Sequence, residues 1–237
     1  MTSRAQVDKL GERLKAGPTT EADLRLLDEY RLTFAAAYQS VLKQITGLGL
    51  RATGRSAKTN KAIVEKLRRE SIRLSQIQDI AGCRVVVPAV ATQDEEVARI
   101  CGAVPNPLQI DRRRQPSHGY RAVHVVASPS GMSVEIQIRT AWQHLWAETS
   151  EKLADTLDPA IKYGQGPAHV RAQLQRWSVV IADWEAVQAS WAGGGQLPFE
   201  RGAEIARLQD QVYAEAAAAM AIHLSENAGE DDDAVPD

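Results

Sequence analysis

Apolar and polar residues alternate most strictly between Val123 and Arg139. Val123 and Val125, then Val134, Ile136 and Ile138, flank a turn at Pro129-Ser130-Gly131, which predicts a hairpin whose strands each bury one face. Opposite the aliphatics on the second strand stand Glu135, Gln137 and Arg139, a row roughly 13 Å long at about 3.3 Å per residue. Two readings fit that row: a solvated sheet face, or a polar surface that lies along an elongated ligand.

Helical spacing governs most of the remaining chain. A short charged helix is predicted near residues 4–15. Thr20 with Asp23 resembles a capping signal, and Leu27, Tyr30, Phe34, Tyr38, Val41 and Ile45 then recur as one long amphipathic helix that stops at Gly47 and Gly49. A basic loop leads into a helix around 60–70, and a strand at 83–88 follows Asp79 and Gly82. A helix around 92–103 precedes a strand near 107–112. After the hairpin comes a helix whose Trp142, Leu145, Trp146 and Leu153 supply its buried side. Trp177, Trp184 and Trp191 fall seven apart with Val180, Ile181 and Val187 between them, an apolar stripe of heptad period that needs a partner surface. That partner is either a second copy of the chain, giving a homo-oligomer through the C-terminal helices, or the chain's own sheet or first long helix. Beyond the break at Gly193-Gly194-Gly195 an Ala-rich helix is predicted near 200–224, and the acidic residues 225–237 read as a disordered tail.

Composition narrows the class without fixing it. The chain has 237 residues, 24% of them charged, with a net charge of −2, so no global bias marks a nucleic-acid or membrane binder. Cys83 and Cys101 lie in apolar segments without metal-ligand spacing, as buried thiols do in a reducing compartment. No apolar run has signal-peptide or membrane-spanning character, so a soluble cytoplasmic protein is expected.

The chemistry-bearing residues fall in local patches. Arg51, Arg55, Lys58 and Lys61 crowd the basic loop and Lys66 follows on the helix; together they suit phosphate, although each alone reads as an ordinary surface cation. Asp79, at the turn into the strand, and Glu135 are two carboxylates that can share a Mg²⁺ ion if their strands are neighbours; Asp79 alone also fits a turn or cap. Cations, paired carboxylates and an aromatic beside a polar strand describe phosphoryl transfer.

The stretches IQDIAGCRVVV, HGYRAVHVV, VEIQIRTAWQHLWAE and, more loosely, GRSAKTNKAIVEKL resemble the synthetase domain of RelA/SpoT-type alarmone synthetases, especially the small single-domain members, over roughly residues 20–165. The resemblance implies an α+β fold, a mixed β-sheet flanked by helices and related to nucleotidyltransferases, with a synthetase domain at 1–165 and a helical C-terminal extension at 166–224. It implies transfer of the β,γ-pyrophosphate of ATP to the ribose 3′-hydroxyl of GDP or GTP, with Mg²⁺ as cofactor. Position by position, Asp79 corresponds to the metal ligand and Glu135 to the second acidic residue, on the metal or deprotonating the hydroxyl. Tyr120 corresponds to the tyrosine that stacks on guanine, with His124, Gln137, Arg139 and Arg114 on the acceptor side. Arg55, Lys58, Lys66 and Arg84 correspond to the cations of the ATP side.

The chain departs from the family pattern at several places. Arg55 and Lys58 have two residues between them where the family has one, Ala62 stands where a serine is common, and Gln115-Pro116-Ser117-His118 precedes Gly119-Tyr120 where a lysine or arginine is usual. No hydrolase motif and no long regulatory C-terminal region are present in the sequence. Two alternatives remain open: pyrophosphorylation of the 3′ end of tRNA, for which Arg112–Arg114 offers a basic surface, and a catalytically weak nucleotide- or RNA-binding module.

Overall fold

The computed structural model describes residues 3–191 together with residues 207, 210, 214, 218 and 221. The Gly193–Gly195 break and the acidic tail lie outside the described residues, as does the 200–224 helix apart from those isolated positions. The elements run α1 (Arg4–Ala16), α2 (Glu21–Leu32), α3 (Ala35–Gly47), β1 (Ala52–Arg55), α4 (Asn60–Arg69), β2 (Ala81–Val87), α5 (Val90–Ala103), β3 (Leu108–Asp111), β4 (Val123–Ala127), β5 (Val134–Thr140), α6 (Ala141–Thr156) and α7 (Ala168–Trp191). Five strands form one mixed sheet in the order β1-β2-β5-β4-β3, flanked by helices, so the α+β expectation holds. Among the described residues no helix is long and apolar enough to cross a membrane.

Two elements differ from the sequence pattern. The single helix expected between Thr20 and Gly47 is two, α2 and α3. At the join the Thr33 and Phe34 N–H groups donate to Tyr30 and Arg31 carbonyls at 3.2 Å, and the Thr33 hydroxyl donates to the Tyr30 carbonyl at 2.5 Å. These tight i→i+3 bonds interrupt the i→i+4 ladder, yet both residues keep right-handed dihedrals, so the apolar spacing runs on as if nothing had happened. The second difference is β1, an edge strand inside the expected basic loop. It pairs antiparallel with β2, placing Thr53 opposite Arg84 and Gly54 opposite Cys83. A side chain at Gly54 would collide with the Gly82 carbonyl and the Cys83 backbone, so glycine is what lets the edge strand close.

The described chain divides into two compact units built from interleaved segments. The first comprises Met1–Val86, Glu95–Ile110 and Val123–Ile138. Its core is aliphatic: Leu14, Leu27, Val41, Ile45, Ile63, Ile80, Ile100, Val125 and Ile136 are fully buried. The hairpin register sets Val123 opposite Ile138 and Val125 opposite Ile136, which puts the alternating aliphatics on one face as the pattern requires.

The second unit comprises Val87–Asp94, Asp111–Ala122 and the chain from Arg139 on. Its core is Trp146, Leu153, Ile161, Leu174, Trp177, Ile181 and Trp184, with Tyr120 and Trp142 packed against it. The Trp142 and Trp184 rings meet edge to face at 6.1 Å between centroids. Trp177 and Trp184 are therefore occupied within their own unit and offer no face to a second copy. The oligomer expectation loses that support, and the Trp191 side chain lies outside the described residues. A sequence boundary at 165 does not separate α7 from α6, because the two pack on one another in this unit.

Candidate functional site

The first unit gathers acidic and cationic side chains at the ends of β1, β2 and α4. Thr59 caps α4, its hydroxyl accepting from the Ala62 N–H at 3.3 Å, and the Lys58 N–H donates to the Ile80 carbonyl at 2.6 Å. That bond ties the loop before α4 to the segment entering β2, and Asp79 sits in that segment. Lys58 Nζ donates to Asp79 Oδ2 at 2.7 Å and Lys66 Nζ to Asp79 Oδ1 at 2.9 Å. Burial pushes the Asp79 carboxyl up, but the two lysine charges and their hydrogen bonds outweigh it and hold the pKa at about 2.

Glu135 lies on β5, the sheet neighbour of β2; a Cβ at Gly82 would stand 3.0 Å from the Glu135 carbonyl. Both of its carboxylate oxygens are engaged. His124 Nδ1 is 3.0 Å from Oε1, and Gln137 Nε2 donates to Oε2 at 2.8 Å. His124 pairs across the hairpin with Gln137, which brings it diagonally onto Glu135. Burial raises the Glu135 carboxyl, the hydrogen bond and charge of His124 and the bond from Gln137 lower it further than burial raises it, and the charge of Asp79 raises it again. The net direction is down, so both carboxylates are ionised at neutral pH. The polar row of β5 is thus half-buried and occupied at Glu135 and Gln137, which sets aside the reading of a solvated face.

Among the described residues no cluster of three or more His, Cys, Asp or Glu side chains is arranged to hold a metal. A zinc-type site is therefore not present there, but Mg²⁺ asks for less: one or two carboxylates, with substrate phosphates and water filling the remaining positions. Asp79 and Glu135 supply that donor set, Glu135 feels the charge of Asp79, and the lysines on Asp79 have the chemistry to follow a phosphate. The remaining cations differ in exposure. Arg84 is half-buried on β2, Arg55 is exposed at the end of β1, and Lys61 points to solvent.

The second unit holds Tyr120 and Arg139. Arg139 is 2% exposed, so it does not line an open surface; its Nη2 donates to Tyr120 Oη at 3.0 Å, and its guanidinium lies 5.1 Å from the ring centroid. Tyr120 also stands 6.4 Å from Trp146, ring to ring. The loop ahead of it is held in left-handed dihedrals, His118 at φ 55° and Gly119 at φ 93°, and Ser178 Oγ donates to the Gly119 carbonyl at 2.6 Å. A side chain at Gly119 would strike Trp146, so the glycine of Gly-Tyr-Arg is set by packing as well as by dihedral.

Tyr120 lines a cavity of about 130 Å³ with His118, Trp146, Ser150, Glu151 and Lys162. None of these five companions is singled out by the sequence pattern, where the tryptophan reads as core. The available signal is the i, i+4 relation of Trp146 to Ser150 and of Ala147 to Glu151, which gives α6 a second face beside its buried one. Arg114 is elsewhere. It lines a separate cleft of about 320 Å³ with Arg113, Arg121 and Glu185, and only a loose 3.5 Å contact joins it to Asp111.

Residues 54–154 match the family described as a region found in RelA / SpoT proteins. The uncharacterized protein Rv1366 of Mycobacterium tuberculosis is 36% identical over 199 residues, covering 78% of this chain and 72% of that protein. Among solved structures, small alarmone synthetase 1 from Bacillus subtilis bound to its product pppGpp aligns with a TM-score of 0.59 at 26% identity, over 71% of this chain and 97% of that one. A second structure of small alarmone synthetase 1 from Bacillus subtilis aligns with a TM-score of 0.54 at 28% identity, over 71% and 95%. The paired carboxylates, the two lysines on Asp79 and Tyr120 all stand in segments covered by the family match, and the chain belongs to the RelA/SpoT family as a member built like the small alarmone synthetases.

Proposed function

We propose that the chain transfers the β,γ-pyrophosphate of ATP to the ribose 3′-hydroxyl of GDP or GTP, making ppGpp or pppGpp. The observation that carries this reading is the grouping in the first unit: two ionised carboxylates, Asp79 just ahead of β2 and Glu135 on its neighbour β5, the first of them held by two lysines. Phosphoryl-type transfer needs little covalent help and much charge neutralisation and positioning, and these side chains supply both. Lys58 and Lys66 bind the ATP phosphates, with Arg84 and Arg55 in support. Asp79 and Glu135 would hold Mg²⁺, which neutralises charge on the transferring phosphates. The 3′-oxygen bonds to the β-phosphorus as the bond from that phosphorus to the bridging α–β oxygen breaks, and AMP leaves with the electron pair. The hydroxyl proton passes to Glu135, which is ionised at neutral pH and whose orientation His124 and Gln137 fix.

On the acceptor side, guanine stacks on Tyr120, whose ring Arg139 and Trp146 hold in place. The test is incubation of the full chain with γ-labelled ATP and GDP, GTP or bulk tRNA in turn, followed by separation of the products. Label in a guanine nucleotide with stoichiometric AMP supports the reading. Label in tRNA alone overturns the acceptor, and absence of AMP in every arm overturns the transfer.

A further inference from the structure

We propose that Glu151 determines base specificity: its carboxylate reads the donor edge of a guanine stacked on Tyr120. The proposal rests on the acceptor role given to Tyr120 above and goes beyond it by naming the group that tells guanine from adenine.

Stacking alone does not discriminate, since every base has a π face. Discrimination needs a polar group beside the stack that the wrong base cannot satisfy. Among the side chains lining the cavity beside Tyr120 the one carboxylate is that of Glu151; Ser117, His118 and Ser150 bring hydroxyls and an imidazole, and the other polar groups are engaged. Trp146 Nε1 donates to the Leu174 carbonyl at 2.8 Å, the Tyr120 hydroxyl accepts from Arg139 at 3.0 Å, and Lys162 Nζ is on Asp155 at 2.6 Å. Glu151 is exposed at the cavity wall, and no hydrogen bond or ion pair engages its carboxylate among the described residues. It stands one turn beyond Ala147 on α6, which also lines the cavity, so the helix face points both residues at the same space.

An ionised carboxylate only accepts, through two oxygens set side by side. Guanine offers a matching pair of donors on one edge, the N1–H and the 2-amino group. Adenine puts a lone pair at N1, which would face the carboxylate in repulsion. Hypoxanthine keeps the N1–H and lacks the amino group, so it satisfies one oxygen of the two. Glu151 therefore ranks guanine over hypoxanthine over adenine at this position. A volume of about 130 Å³ holds a base and leaves the ribose and phosphates outside, well below the roughly 300 Å³ at which pockets for whole ligands begin.

Calorimetric titration of the full chain, as wild type, Glu151→Gln and Glu151→Ala, with GDP, IDP and ADP tests this. Wild type binds GDP more tightly than IDP. Glu151→Ala weakens GDP by about tenfold, the scale of one charged hydrogen bond, and brings GDP and IDP together. Glu151→Gln, which retains one acceptor oxygen, falls between, and a non-hydrolysable ATP analogue binds all three proteins alike. Because Glu151 is exposed, the variants melt as wild type does. A GDP affinity that ignores Glu151, or a GDP-to-IDP ratio unchanged in Glu151→Ala, overturns the base-edge role. Failure of the wild-type chain to bind GDP overturns the acceptor reading itself.

Discussion

Replacing Lys58 and Lys66 together by methionine keeps the apolar stems and removes both ammonium groups from Asp79. Burial pushes that carboxyl up, and the two lysines more than reverse it, from 3.8 to about 2. At 1.36 kcal/mol per unit, the difference between 3.8 and about 2 is worth roughly 2.4 kcal/mol of folding free energy. The folded-state pKa is the lower one, so this stabilisation is present in full above the unfolded value and is lost as pH falls toward about 2. In the double variant burial acts unopposed, the folded pKa rises above the unfolded one, and the acid-sensitive stabilisation disappears. Urea unfolding between about pH 6 and about pH 2 reads this directly, with Asp79→Asn made in both backgrounds as control. The stability gap between wild type and double variant should shrink by at least about 2 kcal/mol across that range, because wild type loses most of this stabilisation while the raised carboxyl of the variant favours the folded state as it protonates. Asp79→Asn should abolish the pH dependence of the gap. A gap that is constant with pH would refute the argument. So would a pH dependence that survives Asp79→Asn, which would move the lysines' effect to another carboxylate such as Glu70, 4.0 Å from Lys66.

Asp79→Ala and Glu135→Ala should each abolish AMP release from ATP and guanine nucleotide while leaving the circular dichroism spectrum intact; near-normal turnover in either would remove that residue from the chemistry. Tyr120→Ala should weaken GDP by about 1–3 kcal/mol and leave ATP unaffected, as measured by calorimetry, since only the acceptor base loses its stacking surface. Tyr120→Phe keeps the ring but strips the acceptor from Arg139 Nη2, so its cost of about 1 kcal/mol should appear in urea unfolding rather than in GDP affinity. Trp177→Ala, at a residue with 0% exposure, should cost about 3–5 kcal/mol by the same method. A chain ending at Gly166 lacks Leu174 and Trp177, so it should show no cooperative melt of the second unit.

The hairpin was legible because alternation reports strand faces directly: Val123, Val125, Ile136 and Ile138 are buried together as their spacing requires. The α2–α3 break was not, since a turn of tighter helix preserves the apolar spacing while severing the ladder. β1 was hidden for a different reason. An edge strand of four residues that pairs through its backbone, with a glycine at the point of closest approach, needs no apolar alternation and so leaves none to read. The acid pair was visible as two carboxylates, but spacing along the chain cannot say that β2 and β5 are neighbours, and the resemblance to a known family implied a mixed sheet and a role for each acid without giving the strand order. Lysine side chains ending on Asp79 were equally out of reach, because a cationic loop reads the same whether it faces water, phosphate or a carboxylate.

The tryptophan stripe shows the limit most clearly. A heptad period establishes that one side of α7 is apolar and must be covered, and Trp177 and Trp184 are indeed buried, at 0% and 6% exposure. Period says nothing of whose surface does the covering. Here it is supplied by α6, whose Trp142 meets Trp184 and whose Trp146 is bonded to the Leu174 carbonyl of α7 itself. Because Trp146 also forms a wall of the Tyr120 cavity, and Ser178 of α7 holds the Gly119 carbonyl, the helix that looked like an appendage fixes the loop that presents the stacking ring. In physical terms, α7 is part of what makes the cavity a defined shape, and a residue pattern that sees only one helix at a time has no means of registering that.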